Sequence, residues 1–476
     1  MQTLDPAPWD AYLADIARRY HVPGIVAGVV RVDPNCGRQQ RVVTSTGVTS
    51  RSTGIATDRD TVCQIGSITK LITATMVLQL CEEGLLSLET PVIDVLPEFH
   101  VDSPHTSTVT VRNLLTHTSG IDGDVFVDMG RGEDSIARFV DAMSAVESLF
   151  TPNTGWSYCN SGFIVAGRIV EVLDGGSWND SVCSRINRPL GLETFYTLPE
   201  EALGRRYQVG HVRAPGQLTW DPVPIPDMHR GRSPAGVILS DVDDLLNFGA
   251  AFLRQGDTGN GEQLLSAETV ATMLEPAWDL HPAPAAVTAP QWGLGWMLNR
   301  WSGHRVVGHG GTKLGNKAWF EVLPDDGLAM VVFCNGGIVP TAGDEICAAF
   351  AETYAGITPP RSTSPAASGH AELDDAWLGT YSDAGTTLKV SRTETGTYQV
   401  SIDQSRIRAR QDVSSAEKPA AAPSPTTLLP TGESLRFVTR PDTLSPYTSV
   451  AFADVDGQRC AYVGIRCLPQ RDEETP

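Results

Sequence analysis

Ser67-Ile68-Thr69-Lys70 stands where an extended segment, residues 61–65, gives way to an apolar run expected to be helical over residues 68–83. Three residues of separation on a helix put two side chains on one face, so the Lys70 amine is within reach of the Ser67 hydroxyl. A serine hydroxyl is a poor nucleophile at neutral pH and needs a neighbouring base. A lysine fills that role where burial or a nearby cation favours its neutral amine. The segment that follows supplies burial: Ile68, Leu71, Ile72, Ala74, Met76, Val77, Leu78 and Leu80 spread apolar groups over most of a helical circumference, interrupted by Thr73 and Thr75. Such a helix belongs in the middle of a domain. Ser-x-x-Lys also arises by chance, and a serine opening a helix also reads as a simple cap, so the tetrapeptide alone leaves both readings open.

The chain has 476 residues, more than one core usually holds, which predicts one large and one smaller domain. A 41% hydrophobic and 19% charged composition is that of a soluble globular protein. The net charge of -20 argues against nucleic acid and anionic membrane surfaces as partners. Arg205-Arg206 and the run Arg406, Arg408, Arg410 are small local exceptions. Near the amino terminus Trp9, Leu13, Ile16, Ala17 and Tyr20 fall at helical spacing among Asp5, Asp10 and Asp15, a folded helix rather than a signal peptide. No apolar run is long enough to span a bilayer, so the expected address is the cytoplasm. Cys36, Cys63, Cys81, Cys159, Cys183, Cys334, Cys347, Cys460 and Cys467 form no C-x-x-C pair, and the histidines form no His-Glu-x-x-His pattern. Reduced thiols are expected, with no metal and no cofactor.

Residues 24–32 and 40–48 read as a Val-rich hairpin around the turn-forming Asp33-Pro34-Asn35-Cys36-Gly37. Helical patterns then dominate, at 111–115, 135–146, 162–173 and 241–253, the last with Ser240 as its expected cap and Asp243 near the capping-box position. Strand patterns return at 303–308, 317–323 and 328–334, the last two joined by Pro324-Asp325-Asp326-Gly327. Strands at both ends of a helical middle predict an antiparallel sheet layered with helices, plus a helical insertion. From 356 to 368 the chain is rich in Pro, Ser and Thr and reads as a linker. Six short alternating segments follow, at 386–392, 397–403, 406–410, 434–440, 449–454 and 459–467, and predict a small β-barrel. The proline-containing stretch 416–425 reads as a mobile loop within it.

Two further stretches carry chemistry. In Tyr158-Cys159-Asn160 the two-residue spacing puts a phenol and an amide on one side of a short extended loop, where one relays a proton and the other binds a carbonyl. Gly308-His309-Gly310-Gly311-Thr312 is expected to follow a strand, and its glycines let a substrate backbone approach. Each alone also reads as structural, the first as a polar loop and the second as a turn. Their order along one chain is far more specific: nucleophile helix, tyrosine loop, then a C-terminal strand with a basic residue.

In these three motifs the chain resembles the penicillin-binding proteins and class C β-lactamases, with their serine esterase and D-aminopeptidase relatives. Leu114-Leu115-Thr116-His117-Thr118-Ser119-Gly120-Ile121 and Trp292-Gly293-Leu294-Gly295-Trp296 add to the likeness. The resemblance implies an α/β fold: a β-lactamase/DD-peptidase-like domain (antiparallel sheet flanked by helices, plus a helical subdomain) over residues 1–357. A linker at 358–372 and a small antiparallel lipocalin-like β-barrel at 373–476 would follow. It also implies an acyl-enzyme mechanism. Ser67 would attack a carbonyl carbon while Lys70 and Tyr158 exchange its proton. Asn160 would orient the substrate amide and the Lys70 amine, and His309 would support Tyr158 or contact the substrate. The backbone N–H groups of Ser67 and Thr312 would hold the oxyanion, beside Gly310 and Gly311. Histidine in place of the lysine of Lys-Thr-Gly weakens the fixed positive charge that β-lactam carboxylates use, which predicts poor β-lactamase activity.

Three reactions share such a site: D-peptide hydrolysis, ester hydrolysis, and the macrocyclisation catalysed by penicillin-binding-protein-type thioesterases on nonribosomal peptidyl thioesters. The expected absence of an export signal and the appended barrel favour the third. Gly120-Ile121-Asp122-Gly123-Asp124-Val125-Phe126 also resembles that group. The implied partners are a small peptide or acyl thioester substrate and a peptidyl carrier domain, whose docking would need a local basic patch. Arg466, or else Arg459, is expected to meet a substrate carboxylate or carbonyl, the alternative being a solvated strand arginine. A non-catalytic peptide or β-lactam sensor is the reading from another class, and the full proton-transfer set argues against it.

Overall fold

Strand β1, Gly24–Val32, alternates its side chains between two cores, as the two-residue period of a strand requires. Val26, Val30 and Val32 face one; Ile25, Ala27 and Val29 face the other, against Leu13 and Ile16 of helix α1, Trp9–Tyr20. The computed structural model describes residues 4–5, 8–123, 128–213, 219–223, 229–280, 289–360, 363–367, 372–404, 423–442 and 445–472. Among these, β1 lies in an eight-stranded antiparallel sheet with β2 (Gln39–Gly47), β3 (Trp278–Asp279), β4 (Gln291–Trp292), β5 (Met297–Trp301), β6 (His304–Lys313), β7 (Asn316–Leu323) and β8 (Leu328–Cys334). Its order is β2-β1-β8-β7-β6-β5-β4-β3. The amino-terminal hairpin thus pairs with a strand some three hundred residues away in sequence (Val26↔Phe333), as strands flanking a helical middle predict.

Between β2 and β3 the chain forms the helical layer. It includes α2 (Thr69–Glu82), α3 (Asn160–Asp174) and α4 (Val242–Leu253), and α5 (Val339–Ala355) covers the opposite face of the sheet with α1. Every residue of α2 from Thr69 to Leu78 is buried, so this helix is the axis around which the layer packs. A 3₁₀ turn, Gly66–Ile68, precedes it, and neither that turn nor α2 has a side-chain cap, so Ser67 is not a helix cap. The cap of α4 is Asp241, which accepts from the Asp244 N–H at 2.9 Å, not Ser240 as the sequence suggested. Ser240 is held instead in a two-residue strand paired with Cys63–Gln64. The glycine motif around His309 lies inside β6 rather than after it, because pairing to β7 continues through Lys313.

The C-terminal strands are β9 (Gly379–Ser382), β10 (Thr387–Arg392), β11 (Tyr398–Asp403), β12 (Thr426–Thr427), β13 (Leu429–Pro430), β14 (Arg436–Thr439), β15 (Thr448–Val455), β16 (Gln458–Val463) and β17 (Arg466–Arg471). They form one antiparallel sheet, β12-β11-β10-β9-β17-β16-β15-β14-β13, whose two outermost strands are separated in the chain only by Leu428. The sheet therefore curls into a nearly closed barrel. Tyr381, Leu388, Val400, Phe437, Val450, Phe452 and Leu468 fill its interior. The single strand expected at 459–467 is in fact two, broken at Gly464, whose φ of 61° a β-ladder does not accommodate. The strand expected at 406–410 and most of the loop expected at 416–425 lie outside the described residues. Among the described residues no helix is long and apolar enough to cross a membrane.

Candidate active site

Ser67 sits on the 3₁₀ turn and Lys70 on the first turn of α2, so their spacing converges the two side chains: Lys70 Nζ lies 3.1 Å from Ser67 Oγ. Lys70 is fully buried, and its other near neighbours are Asn160 Oδ1 at 2.8 Å and the Ala235 carbonyl at 2.6 Å. Both of those are acceptors. A neutral amine has two N–H bonds and one lone pair, so with the hydrogens given to Asn160 and Ala235 the lone pair faces the Ser67 hydroxyl. The ammonium form satisfies the same three contacts as donor. The pair can therefore exchange the serine proton without moving heavy atoms.

Asn160 is the first residue of α3, and Tyr158 is brought in by the extended backbone just before it. The Tyr158 ring lies 4.9 Å from Lys70 Nζ, and its hydroxyl is 3.3 Å from His309 Nε2. His309 Nδ1 is 2.6 Å from the Gly310 carbonyl, which only accepts, so Nδ1 carries the proton and Nε2 accepts from the phenol. Burial, with Lys70 nearby as a second cause, pushes the imidazole down to about 3. His309 is therefore neutral at working pH and supports Tyr158 without contributing a cation. The sign follows: a histidine whose folded pKa is depressed favours the unfolded state as pH falls from 6.5 towards 3. Wild type should lose more stability between pH 6.5 and 4 than His309→Gln, measured by urea midpoints across that range; parallel profiles would contradict a buried neutral His309.

Beneath Tyr158 lies His117, which the sequence offered only within a familiar-looking stretch. Its ring centroid is 4.3 Å from that of Tyr158, and its Nδ1 accepts from the Cys159 N–H at 3.0 Å. Burial, reinforced by Lys70, holds this imidazole well below the usual histidine range. Trp156 and Trp292 pack around the same ring at 5.7 and 4.8 Å.

The glycines of β6 bring that strand against the serine turn. A Cβ on Gly311 would lie 1.8 Å from the Ile65 carbonyl oxygen, and one on Gly66 (φ 54°) would lie 2.7 Å from the Thr312 nitrogen. The Thr312 backbone thus stands beside the Ser67 turn, where two N–H donors can converge on one oxyanion. Gly310 is less confined: its nearest neighbour would be the Ala318 oxygen at 3.9 Å.

Arg466 and Arg459 part company. The turn between β16 and β17 carries the Arg466 guanidinium to 4.8 Å from the Tyr158 ring centroid. Arg459 lies at the far end of β16, exposed, 5.8 Å over Trp377. The structure thus gathers Ser67, Lys70, Tyr158, Asn160, His309, Gly310, Gly311, Thr312 and Arg466, and leaves Arg459 outside. It adds His117, the Ala235 carbonyl and Ile465, of which only His117 had any signal in the sequence. Among the described residues no cluster of His, Cys, Asp or Glu could hold a metal ion.

A buried lysine bridging a turn serine and an asparagine, with a tyrosine backed by a strand histidine, on a sheet-and-helix fold of this order, defines a serine hydrolase of the penicillin-binding type. Residues 9–349 match the Beta-lactamase family, and the chain belongs to it. Penicillin-binding protein 4 of Amycolatopsis lactamdurans is 38% identical over 387 residues, 80% of this chain and 99% of that protein. The D-aminopeptidase of Brucella melitensis biotype 2 (strain ATCC 23457) is 24% identical over 93% of this chain and 79% of its own length. Among solved structures, SurE superposes with a TM-score of 0.75 at 24% identity, covering 97% of this chain and 98% of its own. It has also been solved with D-Leu.

Proposed function

We propose that this protein is a serine acyltransferase that takes a peptidyl group from a thioester onto Ser67 and passes it to the peptide's own amine, closing a macrocycle. Ser67 Oγ attacks the thioester carbonyl while Lys70, with Tyr158, takes its proton; the oxyanion rests on the Ser67 and Thr312 N–H groups. Collapse of the tetrahedral intermediate releases the thiol, protonated through Tyr158. The incoming amine then loses its proton by the reverse route and releases Ser67. Delivery of the thioester by a peptidyl carrier domain belongs to the same proposal.

The observation that carries the transfer step is Arg466. The barrel places a guanidinium on the Tyr158 ring, where it can pair with a carboxylate or carbonyl of the bound peptide and hold its amine end near the ester. A D-residue at the acyl end is the expected substrate feature, supported by the D-Leu complex of SurE and by the name of the D-aminopeptidase relative. That relative also supports a second reading, in which water rather than an amine deacylates Ser67 and the product is a shortened D-peptide.

A peptidyl thioester with a D-residue at its acyl end separates the two by product mass. Loss of the thiol alone means cyclisation, and an added water means hydrolysis. Arg466→Ala should slow transfer by about 10–100-fold, the worth of one charge-assisted hydrogen bond, while Ser67 acylates at the wild-type rate. Equal turnover in the variant would remove Arg466 from the account.

A further inference from the structure

The interior of the C-terminal barrel is packed with its own apolar side chains. Its outward face is engaged instead. Ala451, Val455, Cys460, Tyr462 and Cys467 form a buried cluster with Leu149 and Phe150, just ahead of the tyrosine loop. Polar contacts fix the same face at two more points. Asp122 Oδ2 accepts from the Ala384 N–H at 2.7 Å, and Asp456 Oδ2 accepts from the Thr151 N–H at 2.8 Å. Apolar packing and hydrogen bonds at separate places thus join the barrel to the segments around the tyrosine loop.

At its centre the β16–β17 hairpin grips three consecutive residues of the loop. The Tyr462 hydroxyl donates to the Trp156 carbonyl at 3.1 Å, the Cys467 N–H to Ser157 Oγ at 3.2 Å, and the Tyr158 N–H to the Ile465 carbonyl at 3.1 Å. Tyr462 and Cys467 are direct partners across the hairpin, so the three bonds come from one rigid unit. Ile465, at its tip, packs with Trp156, Tyr158 and Trp292. On the other side His117 takes the Cys159 N–H.

We infer that the barrel is a positioning element of the catalytic site: the hairpin at Tyr462–Cys467 sets the backbone of residues 156–158 and thereby aims the Tyr158 hydroxyl. Tyr462 and Ser157 are positioning residues that act through Tyr158. The inference rests on the acyl-enzyme reading above and deepens it, because acylation itself, and not only the choice of acceptor, then depends on the barrel. A proton-relay group displaced by a fraction of an ångström loses much of its effect.

The test is the single-turnover rate of Ser67 acylation by an activated acyl thioester in the full-length protein, for wild type, Tyr462→Phe, Ser157→Ala, Tyr158→Phe and Tyr462→Phe/Tyr158→Phe. Tyr462→Phe deletes one hydroxyl, Ser157→Ala one acceptor, and each should slow acylation by about tenfold. If Tyr462 acts through Tyr158, the double variant is scarcely slower than Tyr158→Phe alone. Losses that multiply, or Tyr462→Phe and Ser157→Ala acylating at the wild-type rate, would overturn the inference and leave the acyl-enzyme reading standing. A wild type that is not acylated at Ser67 would overturn both.

Discussion

Lys70→Met is expected to slow acylation of Ser67 by about 10²–10⁴-fold, the range over which a positioned acid–base group works. Methionine keeps the length and burial of the side chain but can neither take nor return the serine proton. The cost to the fold is bounded from both sides. The Ala235 carbonyl and Asn160 Oδ1 lose a donor, at about 1–3 kcal/mol for each buried acceptor left unmatched. Removing a fully buried amine relieves a desolvation cost of similar kind. The rate should therefore fall by far more than any change in stability explains. A stopped-flow burst measurement beside a thermal melt checks this. A Lys70→Met variant that stays folded and acylates within threefold of wild type would place the base elsewhere.

The second large effect belongs to a glycine pair that looks equivalent in sequence and is not so in space. Gly311→Ala would drive a methyl to 1.8 Å from the Ile65 carbonyl oxygen, a backbone atom that cannot swing aside. Strand β6 must then draw back from the serine turn and take the Thr312 N–H with it. Loss of one oxyanion donor predicts a fall of about 10²–10³-fold in acylation. Gly310→Ala meets nothing nearer than 3.9 Å and should acylate within a few-fold of wild type. Single-turnover rates for the two variants decide the point, and equal losses would show that the clash is not what matters.

Much of this arrangement was legible in the sequence because it rests on short-range rules. A three-residue helical spacing sets Ser67 against Lys70, a loop spacing sets Tyr158 near Asn160, and valine-rich runs bounded by Asp-Pro-Asn and Pro-Asp-Asp-Gly turns mark the sheet strands. The Ala235 carbonyl was out of reach, since a main-chain acceptor carries no residue signature. The role of Ser240 was misread because a serine before an acidic helix start looks like a cap until strand pairing claims it. The hairpin reads in the sequence as one strand at 459–467 that carries both arginines, Arg466 preferred and Arg459 the alternative. Gly464 turns the chain back at that point, which puts Arg466 beside the turn and against Tyr158, while Arg459 lies at the other end of the hairpin, over Trp377. The packing of barrel against tyrosine loop depends on contacts between residues some three hundred positions apart, and no local pattern encodes them.

The central claim is that Ser67 carries the acyl group. Intact-protein mass spectrometry after a brief incubation with an activated acyl thioester, followed by peptide mapping, tests it directly. The predicted result is one added acyl group, located on Ser67 and absent from Ser67→Ala. A folded wild-type protein that turns over the thioester with Ser67 unmodified, or with the adduct on another side chain, would contradict it.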